Sequence, residues 1–118
     1  MNCLVIDHDT EAVRYIEGCL QNTGWTYNAV YTGSAGVGAF ARKPHHYDLV
    51  IMELLLPDTS GIFLAQSFKE IRKDIEILFY SYHPPKGPSA RLTLPLGKHL
   101  EKCLFGTDLI DYLRRRPS

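Results

Sequence analysis

At 118 residues, with 45% apolar and 22% charged side chains, the chain holds enough material for one compact domain with a layered core (residues 1–118). Basic and acidic residues balance at 13 each, which excludes an electrostatic footprint for direct nucleic-acid binding or for coating an anionic membrane. No apolar stretch approaches bilayer-spanning length and no signal peptide precedes the first apolar run, so a cytoplasmic protein is expected. Cys3, Cys19 and Cys103 lack CxxC spacing and sit among apolar neighbours, which predicts buried free thiols.

The first apolar run, Cys3-Leu4-Val5-Ile6, shows no alternation, as expected of a strand covered on both faces. Asp7-His8-Asp9-Thr10 stops it and offers helix-capping side chains. A helix follows with Ala12, Val13, Ile16, Cys19 and Leu20 on one face, and Gly24 ends it. A weaker strand covers Trp25 to Val30, and Ala35 to Arg42 makes a short helix presenting Val37 and Phe40. Tyr47 to Met52 is the most apolar run and the expected central strand; its loop runs from Leu56 to Gly61. A helix on Leu64, Phe68 and Ile71 comes next, then a strand from Ile75 to Tyr80. His99-Leu100-Glu101 is a short last strand, and Thr107 to Arg115 a closing helix on Leu109, Ile110 and Leu113. The run Arg114-Arg115-Arg116 suits the negative end of that helix, and residues 114–118 are a candidate linker to an output domain.

Between the last two strands the sequence Pro84-Pro85-Lys86-Gly87-Pro88 breaks the pattern, because proline inside a helix costs about 3 kcal/mol. Only Pro88 to Leu94 is left to form a helix there, short or irregular. Strand and helix otherwise alternate with short connections, and parallel strands need crossover helices. The predicted class is therefore α/β, a doubly wound parallel sheet with helices on both faces. Functional groups of such sheets collect beyond the carboxyl ends of the strands. Those ends carry Asp7, His8 and Asp9, then Glu53, then Ser81, then Lys102.

These segments resemble the receiver domain of response regulators in two-component phosphorelay signalling. Leu4-Val5-Ile6-Asp7-His8-Asp9 looks like that family's strand ending in an acidic pair, and Tyr47 to Gly61 its phosphoacceptor strand and loop. Ile77-Leu78-Phe79-Tyr80-Ser81 resembles the strand ending in its Ser/Thr, and His99-Leu100-Glu101-Lys102 the strand bearing its lysine. The resemblance implies a flavodoxin-like five-stranded sheet of order 2-1-3-4-5. It also implies a non-enzymatic signalling module that meets a sensor kinase or an output domain, with possible pairing of two copies through the fourth helix, fifth strand and fifth helix. Ser81 and Lys102 would be the phosphate-sensing positions and His99 that of the switch aromatic.

Glu53, however, stands where the family has its phosphoacceptor aspartate. Its stem is longer by one methylene, about 1.5 Å of reach, and misplacing a nucleophile by about 1 Å can cost on the order of a hundredfold in rate. The expectation is a pseudo-receiver in which Glu53 projects toward Lys102 and Ser81 as a partial mimic of the phosphorylated state, imperfect because a carboxylate lacks the oxygens and charge of phosphate. A purely structural Glu–Lys pair is the plainer alternative. His8 replaces the second acid, and imidazole is a poor magnesium ligand, so no cofactor is expected and Asp7, Asp9 and Glu53 are only weak magnesium candidates. Zinc held by His8 with His83, or with His45 and His46, is not favoured by their spacing. Tyr82 narrows access to the site, and Cys103 follows Lys102 in place of the usual proline.

Two further readings stay open on the residues. One is a working receiver phosphorylated at or near Glu53. The other is a haloacid-dehalogenase-like phosphatase built on Asp7-x-Asp9, disfavoured because Glu11 stands where that motif has Thr or Val. A flavin-type cofactor is disfavoured by the acidic first loop, which lacks a Ser/Thr/Gly-rich phosphate cradle.

Overall fold

Short apolar runs that are hydrophobic on both sides can bury themselves only between two layers of helix, and the chain does this with three of them, flanked by two more polar edge strands. The computed structural model describes residues 1–93 and 95–116. Strands β1 (Asn2–Ile6), β2 (Thr26–Val30), β3 (Leu49–Met52), β4 (Glu76–Ser81) and β5 (Lys98–Glu101) form one sheet of order β2-β1-β3-β4-β5, all pairs parallel. Helices α1 (Thr10–Asn22), α2 (Gly33–Arg42), α3 (Gly61–Ile71), α4 (Pro88–Thr93) and α5 (Asp108–Arg115) are the crossovers and the closing element. Every residue of β3 is buried, whereas edge strand β2 is half exposed, so its hydrophobic signal is the weaker.

Alternation along each strand divides the core in two. Cys3 and Val5 of β1, with Leu49, Ile51, Leu78 and Tyr80, pack under Val13, Ile16 and Leu20 of α1 and Leu109 and Leu113 of α5. Leu4 and Ile6, with Val50, Met52, Ile77 and Phe79, face Phe40 of α2 and Leu64 and Phe68 of α3. The rings of Phe40 and Phe68 stack 4.4 Å apart across the α2–α3 seam. Gly24, with φ +80°, ends α1 in the left-handed conformation that favours glycine.

The structure amends several expectations. α2 approaches β1 through Gly36, where a Cβ would lie 2.6 Å from Ile6 Cδ1; this close seat turns Phe40 inward and leaves Val37 39% exposed. Ile71 closes α3 on the solvent side, and Ile110 and Cys103 are half-buried rather than buried. α4 is a single short helix of 6 residues, as the prolines demand. Leu94 and residues 117–118, part of the expected fourth helix and linker, lie outside the described residues.

Arg116 does more than complement a helix dipole. Its guanidinium grips Glu76 through Nε at 2.8 Å and Nη2 at 2.9 Å, donates to the Asp48 carbonyl and stacks on Trp25. The end of α5 is thereby fastened to the base of β4 and β3. Burial pushes the Glu76 carboxyl up, but the hydrogen bonds from Arg116 and Tyr112 outweigh it and hold the group below the ordinary range. Because Glu76 is partly exposed, Arg116→Ala is expected to cost only about 1 kcal/mol, read from the urea midpoint.

Candidate functional site

The sheet continues by one residue beyond three of its strands and so fixes where the polar side chains begin. Glu53 N–H donates to the Ile6 carbonyl at 3.0 Å and Lys102 N–H to the Ser81 carbonyl at 2.9 Å. Asp7, Glu53, Ser81 and Lys102 therefore leave the carboxyl edge from adjacent strands, and all are at least 94% buried. Gly61 secures the loop after Glu53: its N–H donates to the Leu54 carbonyl, and a Cβ there would lie 2.4 Å from the Glu53 carbonyl oxygen. Gly61→Ala should thus displace the Glu53 backbone and destabilise the domain by about 1–3 kcal/mol, measured by denaturant melts and by chemical shifts of the Leu54 and Leu55 amides.

Lys102 lies between two carboxylates. Its Nζ donates to Glu53 Oε1 at 2.8 Å and pairs with Asp7 Oδ2 at 2.7 Å; the second contact lacks hydrogen-bond alignment, so Oδ2 is held by charge. The other oxygens are taken too. Glu53 Oε2 accepts from the Leu54 and Leu55 N–H groups at 2.6 and 3.2 Å, and Asp7 Oδ1 from Asp9 N–H at 3.0 Å. Burial pushes the Glu53 carboxyl up, but Lys102, the Ser81 hydroxyl and the Leu55 amide outweigh it and lower its pKa. Asp7 goes the other way: burial dominates over Lys102 and the Asp9 amide, and the neighbouring Glu53 charge raises it further. Burial disfavours the Lys102 ammonium, yet its two partners raise its pKa on balance. One cation thus serves two acids, with Glu53 held ionised and Asp7 taking up a proton more readily.

Outside this triad an open cleft of about 470 Å³ is lined by His8, Glu53, Leu56, Ser81, Tyr82 and His83 among others. The Tyr82 ring centre lies 5.1 Å from Lys102 Nζ, so the ring face lies over the ammonium. His8 points outward, with Nδ1 3.9 Å from Asp7 Oδ1. Two expected site residues stand apart from the triad. Asp9 spends Oδ1 on the Glu11 and Ala12 amides as the cap of α1. His99 lies within β5 beside Phe79, half-buried, its Nε2 without a hydrogen-bond partner among the described residues; burial lowers its pKa.

A divalent cation, which the resemblance brings into question, does not fit these residues. The oxygens of Asp7 and Glu53 are engaged, the Lys102 ammonium already supplies the positive charge between them, and Asp9 Oδ1 is spent on capping α1. Among the described residues no group of three or more His, Cys, Asp or Glu side chains is arranged to hold a metal ion.

Sequence reasoning missed two parts of the site. Glu53 is cradled by backbone N–H groups, which no side-chain motif announces. Asp58 does not serve its own turn; its oxygens accept from Gly33 and Ser34 N–H, both at 2.9 Å, fastening the loop after β3 to the start of α2. Those amides lower its pKa. Its place in Pro57-Asp58-Thr59-Ser60-Gly61 signals a turn, whereas its partners lie 25 and 24 residues away.

The model of the response regulator receiver domain matches residues 3–115. Among curated relatives, the response regulator ArlR of Staphylococcus epidermidis is 29% identical over 69 residues, covering 58% of this chain and 31% of that protein. The cell cycle transcriptional regulator CtrA of Caulobacter vibrioides is 30% identical over 81 residues, 69% of this chain and 34% of that protein. The chain spans about a third of the length of these relatives. A receiver domain protein from Clostridium thermocellum superposes with a TM-score of 0.84 at 19% identity, covering 96% of this chain and 90% of that one. The response regulator TrrA of Thermotoga maritima, solved in complex with Mg2+ and BeF, gives 0.82 at 22%, covering 94% and 93%. At such identities the superpositions speak for the fold alone.

Proposed function

The chain belongs to the response regulator receiver family of two-component signalling, and from that premise we propose that it is a pseudo-receiver whose state does not depend on phosphorylation. The observation that carries this reading is the 2.8 Å contact between Glu53 Oε1 and Lys102 Nζ, with Oε2 held by two backbone amides. A nucleophilic carboxylate needs a free lone pair in line with the incoming phosphorus. Here the oxygens are engaged, the Tyr82 ring lies over Lys102, and His8, a poor magnesium ligand, stands where the family's second acid would help neutralise developing charge. The Glu53 carboxylate instead supplies Lys102 with the negative partner that a phosphoryl group would bring.

The domain then works as a protein-interaction and regulatory module, non-enzymatic, whose partners are a sensor kinase or an output domain. Pairing of two copies through α4, β5 and α5 belongs to the same reading. The acidic start of α5 (Asp108, Asp111) and its basic end (Arg114, Arg115) support it, since they complement each other across a two-fold axis.

Intact-mass measurement after incubation with magnesium and a small phosphodonor tests the central claim. The expected result is an unmodified chain. A stable acyl-phosphate adduct on Glu53 would instead establish a working receiver and end the pseudo-receiver reading.

A further inference from the structure

Beside the site at Glu53 lies a second surface, next to the short helix α4. Because Pro84, Pro85 and Pro88 confine the helix to 6 residues, it covers less of the neighbouring loop after β3. An apolar groove of about 390 Å³ opens between that loop, the first turn of α3 and the segment leading into α4. Leu54, Ile62, Pro85, Lys86 and Leu92 line it, and it shares Leu55, Ser81 and His83 with the cleft over Glu53. Leu55 is 71% and Leu92 52% exposed. Large apolar side chains gathered in this way on one edge are uncommon on a surface that meets only water.

Charge distinguishes the occupant. From Glu76 to Glu101 the chain contains no intervening carboxylate, while exposed Lys86 and Arg91 flank the groove-lining residues. Among the acids of the neighbouring site, Glu53 is already paired with Lys102. An apolar channel lined by a lysine, in a stretch of chain without carboxylates, complements a helix that alternates apolar anchors with carboxylates. We propose that this groove docks an acidic amphipathic segment of a protein partner.

Panning a library of random short peptides displayed on phage against the full chain tests the proposal, with amide chemical shifts locating the bound peptide. The expected outcome is enrichment of peptides that intersperse Asp and Glu with Leu, Phe or Trp. Their binding should shift the Leu55, Ile62, Lys86 and Leu92 amides and weaken at raised salt. Leu92→Ser and, separately, Lys86→Glu should each lower affinity about tenfold. Both positions are exposed, so a thermal melt matching the parent chain confirms that each variant is folded. Recovery of no peptide, of peptides without an acidic excess, or of peptides that shift another face overturns the proposal. So does concentration-dependent self-association abolished by Leu92→Ser, which would make the occupant a second copy. None of these results bears on phosphoryl transfer at Glu53.

Discussion

Lys102→Met is expected to destabilise the domain by about 3–5 kcal/mol at neutral pH, because it leaves two buried carboxylates facing each other without a cation. Methionine fills much the same volume, so lost packing accounts for little of that figure. The pH dependence identifies the cause. Glu53 has a folded pKa below its unfolded value, so its stabilisation is present above the unfolded carboxylate range and is lost as pH falls through the depressed folded value. Asp7 is the opposite case: its raised pKa means the folded chain holds the proton more tightly, so it favours folding as pH falls through that value and opposes it above. The raised Lys102 contribution is complete below the ordinary lysine range and is lost as pH rises through the folded value. Urea melts across pH should therefore show the native domain weakening in strong acid and again at high alkalinity. Lys102→Met should lose the alkaline transition and recover stability relative to the native chain as the pH drops through the carboxylate range. A flat cost under about 1 kcal/mol at every pH would mean that the triad is an incidental contact and that water already screens these acids.

What the sequence made legible, and what it hid, follows from the range of the interactions. The continuous apolar runs of β1, β3 and β4 announce strands buried on both faces, and capping residues and glycines mark the helix ends, because these signals are local. The convergence of Glu53, Ser81 and Lys102 could also be anticipated, since the topology of a parallel sheet fixes which edge its strands' carboxyl ends share. The division of labour among the acids could not. Asp7 and Asp9 are two residues apart and chemically identical, yet one is buried against Lys102 and the other caps α1; only the path of the turn after β1 decides between them. His99 lies within β5 beside Phe79, and no hydrogen bond of its Nε2 joins it to the triad among the described residues; the Glu53 charge reaches it only through space. Val37 misled because helical spacing alone does not reveal that Gly36 lets α2 sit close enough to β1 to rotate its neighbour outward. The Asp58 clasp on α2 and the Arg116 clasp on Glu76 join residues far apart in the chain, and no periodicity encodes them.

On the pseudo-receiver reading, combining His8→Asp with Glu53→Asp is expected to yield a chain that takes up a phosphoryl group where the native chain does not. Shortening residue 53 withdraws its carboxylate by about 1.5 Å, which removes the 2.8 Å contact with Lys102 Nζ and vacates the volume Oε1 now fills. The lysine then has an open side from which to meet an incoming anion. Asp at position 8 adds a carboxylate beside Asp7, and hard divalent cations prefer oxygen ligands to imidazole. Neither change suffices by itself. Glu53→Asp leaves His8 where a metal ligand is needed, and His8→Asp leaves the Glu53 side chain locked on its amides and on Lys102. Intact mass after exposure to magnesium and a small phosphodonor should show an adduct on the double variant and none on the native chain or either single variant, with calorimetry detecting magnesium only in the double variant. Adding Tyr82→Ala should speed labelling, since the ring that covers Lys102 is then gone. If the double variant stays unlabelled while binding magnesium, the obstruction lies elsewhere, and Cys103, which follows the lysine where the family usually has proline, becomes the next position to exchange because the backbone carrying Lys102 runs directly into it.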